Sequence, residues 1–176
     1  MTPPQAFRFV MHGPGTRGRK RRNPPGSGRK VLGLIVLAGA WGLVKNFLMG
    51  QDSRTRVLAR HGPIAAFALE GQAASFLAPG GLLSSVVTGP LAEELLYRRA
   101  VQPHLGIGTT AALFGLGHYD DELAPARRFE KVLDAALGGM VYGSAFQLGG
   151  IPASWAAHAA HNLGASLGVA AGLAGR

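Results

Sequence analysis

Glu93 and Glu94 stand side by side in the stretch GPLAEELLYRRA, where no other acid occurs, and Arg98 follows four residues after Glu94. On a helix Glu94 and Arg98 are i,i+4 neighbours, the spacing of an ion pair. Glu93 is turned about 140° away from Arg98 at 3.6 residues per turn, which leaves it as the carboxylate free for acid–base work. LFGLGHYDD places Phe114 and His118 four residues apart near the end of an apolar segment. SWAAHAAHN places His158 and Asn162 four residues apart, with His161 about one turn from His158. A lone histidine on an apolar helix is most often a satisfied structural residue. Three histidines, an asparagine and a glutamate pair on separate apolar segments read differently, because each polar group there is costly unless it is partnered or used. Glu70 is a weaker candidate of the same kind, placed to pair with an arginine or to face an aqueous cavity.

The segments that carry these residues are apolar enough to be membrane helices. Of 176 residues 47% are hydrophobic and only 15% charged, with 27 glycines besides, whereas an ordinary soluble domain is about 25% charged. Uncharged runs recur at Val31–Val44, Gly71–Ala92, Ala100–Tyr119 and Ala135–Gly175. The last is long enough for two spans, with Gly149-Gly150-Ile151-Pro152 as the natural break. The reading is an all-α, polytopic transmembrane bundle of about six helices, near 31–49, 62–78, 82–101, 105–118, 131–148 and 152–173. Small residues at four-residue spacing, Gly164, Gly168 and Gly172 on one segment and Ala135, Gly139 and Gly143 on another, are the stripes along which membrane helices approach closely.

The net charge of +9 does not make this a nucleic-acid-binding protein. Residues 1–30 hold Arg8, Arg17, Arg19, Lys20, Arg21, Arg22, Arg29 and Lys30 and no acid, and the remaining chain is close to neutral. Residues 1–30 therefore read as a disordered basic tail on the cytoplasmic side of an uncleaved first span, and 31–176 as the helical domain. The expected location is the plasma membrane of a prokaryote, with the N-terminus cytoplasmic and the bilayer as the constant partner. With no cysteine, disulfides, cysteine–zinc sites and a cysteine nucleophile are excluded.

EELLYR, FGLGH and HAAHN read as EExxxR, FxxxH and HxxxN, in that order and each on its own apolar segment. From about Gly89 to Leu167 the chain resembles the CPBP family, the CAAX prenyl protease and bacteriocin-processing (Abi) group of intramembrane proteases. Arg99 stands where members often have glycine. The resemblance implies an intramembrane endopeptidase in which Glu93 and His118 activate water against a peptide carbonyl. It implies further that His158 and Asn162 stabilise the oxyanion, with Glu94, Arg98 and Phe114 supporting. The substrate implied is a membrane-embedded or membrane-associated protein, and no cofactor is required. Two other readings stand beside it: a zinc enzyme using Glu93, His118 and His158, with His161 as a fourth ligand, and a non-catalytic immunity or peptide-binding protein of the same fold.

Overall fold

The computed structural model describes residues 26–75, 77–121, 123 and 125–174, with side chains left out at 53–58, 60–75 and 174. Most of the expected basic tail lies outside these residues, as does the Glu70 side chain. Every element is helical, and no strand occurs among the described residues. Helix α1 runs without interruption over Ser27–Ser75, where two helices joined by a charged connector were expected. The connector QDSRTRVLARHG holds three Arg with one each of Leu, Gln and Ala, all compatible with a helix, and charge alone does not end one. The helix also begins inside the expected tail, directly after Gly26 at φ 83°.

From residue 79 the chain alternates between α and π geometry: α2 (Pro79–Leu82), π1 (Leu83–Thr88), α3 (Gly89–Glu94), π2 (Leu95–Val101) and α4 (Gln102–Leu116). Each π segment ends two residues before a proline, Pro90 or Pro103. A proline has no N–H to give and its ring crowds the carbonyl one turn back, so the preceding turn widens. Gly106, at φ 74° and ψ 172°, turns the chain inside α4, so the helix expected at 105–118 effectively begins after this residue. Helix α5 (Pro125–Ala174) is broken in the same way at Gly150, φ 70°, where the Gly-Gly-Ile-Pro sequence foretold it.

Contacts between these pieces set their directions. Asp52 reaches Arg127, Lys45 and Trp41 reach Asp134, and Val31 lies by Gly149, so α1 runs antiparallel to 125–149. Along 151–174 it runs parallel: a Cβ added at Gly164, Gly168 or Gly172 would strike the carbonyl oxygens of Gly39, Leu43 or Phe47. Backbones meet there directly, which only glycine permits. Gly115 against Val132, Ala111 against Gly139 and Ile107 against Gly143 make α4 antiparallel to 125–149. The Gly164 and Gly139 stripes are thus both packing seams.

The bundle is polar inside and apolar outside. Glu94, Arg98, Thr110, Ser154 and His158 are buried, while Leu32, Val36, Val44, Leu96, Leu116 and Phe129 are exposed. Lipid, not water, rewards that distribution. Among the described residues one helix, Ser27–Asp52, is long and apolar enough by itself to cross a membrane, with a mean hydropathy of 1.8. Of the six spans expected from sequence, the first alone is such a helix among the described residues. The first two merge into α1, and the later segments are diluted by Ala, Gly and the polar site residues.

Candidate active site

Three helical segments converge on the aromatic ring of Phe114. Its centroid lies 5.0 Å from Tyr97, 4.6 Å from His118, 6.1 Å from Tyr142 and 5.7 Å from His158, and the Arg98 guanidinium sits over it at 5.3 Å. Tyr142 also stacks flat on His158, 4.4 Å between centroids. The phenylalanine of FGLGH is thus the hub that spaces π2, α4 and α5. His118 lies in the turn just past the end of α4, its backbone N–H bonded to the Gly115 carbonyl at 2.9 Å, so the helix end that bears Phe114 also sets His118.

The two adjacent glutamates separate as their positions on the helix require. Glu94 is fully buried: one oxygen accepts from Arg98 Nε at 3.0 Å and the other from His158 Nδ1 at 3.0 Å. Glu93 has 39% of its side chain exposed, and its Oε2 lies 3.8 Å from His158 Nε2. That oxygen is shielded from solvent yet accepts no hydrogen bond. The expected Glu94–Arg98 pair is the geometry observed, while Glu93 points away from Arg98 and approaches His158.

His118 Nδ1 lies 2.8 Å from the Phe114 carbonyl oxygen. A carbonyl only accepts, so Nδ1 carries the proton and Nε2 is left as a lone-pair acceptor in the neutral ring. Glu93 and His118 share a cleft of about 610 Å³, whose wall also includes Leu96, Tyr97, Tyr119, Asp120 and Lys131. Lys131 and Asp120 form an ion pair of 2.9 Å at its rim. The cleft wall thus carries a carboxylate and an imidazole, the two side-chain types that serve as general bases toward water.

His158 and Asn162 lie one turn apart on α5 but engage different partners. His158 is held by Glu94 and Tyr142. Asn162 gives an Nδ2 hydrogen to the Ser85 carbonyl at 2.7 Å, and Trp155 gives its indole N–H to the Val87 carbonyl at 3.1 Å. Both acceptors belong to π1, whose widened turn presents carbonyls sideways. His161 stands on the far side of Tyr142 from the Phe114 cluster: it meets Tyr142 edge-on at 6.1 Å and lines a second cavity of about 190 Å³ with Leu37, Trp41, Leu137 and Val141, between α1 and α5. Among the described residues no three His, Asp or Glu side chains converge as a metal site. The expected zinc ligands Glu93, His118 and His158, and His161 with them, are therefore not gathered around one point.

Sequence reasoning missed Tyr97, Tyr142 and Trp155. The one available signal was an aromatic residue set among small ones, as Tyr142 is between Gly139 and Gly143.

A family model for the type II CAAX prenyl endopeptidase Rce1-like proteins matches residues 75–164, which include every residue of the cluster around Phe114. No curated protein matches the chain, and no solved structure does.

Proposed function

The chain belongs to the type II CAAX prenyl endopeptidase Rce1-like family, and on that premise we propose that it is an active endopeptidase that hydrolyses a peptide bond of a membrane-associated or lipidated protein. The observation that carries this reading is the cleft whose wall holds both the Glu93 carboxylate and the His118 ring. A water there gives one hydrogen to Glu93 and the other to His118 Nε2, with its oxygen lone pair turned toward the substrate carbonyl. Glu93 takes the proton as the hydroxide adds to the carbonyl carbon. The proton then passes to the leaving nitrogen as the C–N bond breaks, giving a carboxylic acid and an amine. Neither step needs a nucleophilic side chain or a cofactor.

His158 and Asn162 are the donors for the oxyanion in this scheme. Glu94 takes the His158 Nδ1–H, so donation from Nε2 requires a ring carrying both protons; Glu94 is already paired with Arg98, and Glu93, 3.8 Å from Nε2, is the counter-charge for that ring. The second amide hydrogen of Asn162 remains for substrate after Ser85 has taken the first. Fixed donors of this kind contribute about 2.7–4 kcal/mol each to the barrier reduction. The bundle sits in the bilayer with its apolar belt against lipid, and the cleft mouth lies toward the charged end formed by Asp120, Arg127 and Lys131.

The test is blind to substrate. Termini of membrane and secreted proteins are compared by mass spectrometry in cells carrying the wild type or Glu93→Gln at matched levels. Termini found only with the wild type support proteolysis and identify the substrate class. Identical termini at full coverage would transfer the cleft to the peptide-binding or immunity reading.

A further inference from the structure

Arg98 is completely buried, yet only its Nε is hydrogen-bonded, and Nη1 and Nη2 have no partner among the protein's atoms. Gln102, 5% exposed, gives Nε2 to the Gly143 carbonyl at 3.1 Å and keeps Oε1 unpaired. Thr110 is also fully buried, and its hydroxyl oxygen is unpaired. Buried polar groups are almost always partnered, so these atoms together point to a ligand.

They occupy one place in the fold. Arg98 lies over Phe114. Gln102 is four residues beyond Arg98, and Thr110 is four residues before Phe114. The chain reverses at Gly106 between them, so one turn along each arm brings Gln102 opposite Thr110. Ile107 and Ala111, on either side of Thr110, face Gly143 and Gly139 of α5, the stretch to which Gln102 is bonded. The unpaired atoms therefore lie along one seam between π2, α4 and α5.

Charge and hydrogen-bond capacity select the occupant. Glu94 already neutralises Arg98 across 3.0 Å, so a further anion would be uncompensated among Phe114, Ala111 and Ile107, and a cation would meet the guanidinium. The Arg98 donors need an acceptor and Gln102 Oε1 needs a donor, while the Thr110 hydroxyl serves as either. A water supplies both functions. We infer that this seam holds a built water site, in which ordered water accepts from Arg98 Nη and donates to Gln102 Oε1 and Thr110 Oγ1. Gln102 and Thr110 are then positioning residues. Through the water they hold the guanidinium, whose Nε orients Glu94, whose second oxygen orients His158.

The site is tested on the full chain in detergent micelles with ¹⁵N-labelled arginine, by cross-relaxation from water to the Arg98 Nη protons. The expected result is a long-lived water contact in the wild type that persists in Thr110→Ser and is lost in Thr110→Val. A wild-type guanidinium without water contact, or a contact that Thr110→Val leaves unchanged, would overturn the inference. Should Thr110→Val not fold, the wild-type spectrum and Gln102→Leu decide it, since loss of Oε1 must also weaken the contact.

Discussion

At the scale of single residues, adjacency in sequence conceals opposite roles. Glu93 and Glu94 differ by one position, yet one faces a cleft and the other is sealed between Arg98 and His158. Glu93→Gln is expected to lower cleavage by about 10²–10⁴-fold, the range for removing a general base, while leaving the thermal midpoint of the purified protein unchanged. Glu94→Ala is expected to do the reverse in kind. It strands the buried guanidinium and costs about 3–5 kcal/mol, read as loss of folded protein before any effect on turnover. A Glu94→Ala protein that folds normally but does not cleave would make Glu94 a direct participant. His161 lines the cavity beside α1, so His161→Ala is expected to retain cleavage, and added chelator is expected to leave the wild-type rate unaltered. Inactivation by chelator with recovery on zinc would reverse the metal-independent assignment.

At the scale of elements, function rests on two devices: glycine seams and proline-widened turns. The seam between α1 and 151–174 allows no side chain at Gly164 or Gly168, whereas Gly80 has nothing within 4 Å of an added Cβ. Gly164→Leu is therefore expected to abolish the monodisperse folded peak in size-exclusion chromatography, with Gly80→Leu eluting as wild type. Equal behaviour of the two variants would mean that the seam is not a close contact. The π1 turn presents the Ser85 and Val87 carbonyls to Asn162 and Trp155, tying the helix that bears both glutamates to the helix that bears His158. The small-residue stripes were legible in the sequence because four-residue spacing defines a helix face. The π turns were not, since they depend on how a proline ring crowds the turn before it.

At the scale of the whole molecule, the polar interior and apolar exterior place the bundle in lipid, as expected for its family. The directions of the segments then predict topology. Gly28 and Gln147 stand near one end of the bundle, while Asp121 stands at the charged end with Asp52 and Arg127. The chain has no native cysteine, so single cysteines report cleanly. Gly28→Cys and Gln147→Cys are expected to be labelled by a membrane-impermeant maleimide from one side of the membrane, and Asp121→Cys from the other. Labelling of all three from one side would show that the bundle does not cross the bilayer in this orientation.

The sequence by itself determined the helical class, the break at Gly150, the pairing of Glu94 with Arg98 and the turning of Glu93 away from that pair. All of these follow from spacing along a single helix or from the backbone freedom of glycine, which are local properties. Only the tertiary structure decided that His161 leaves the group while His158 joins it, that Tyr142 stacks on His158, and that Asn162 is committed first to Ser85. It also decided that the two expected N-terminal helices are one. Those outcomes depend on which faces meet between helices far apart in sequence, and a one-dimensional pattern of residue types carries the identity of a face but not of its partner.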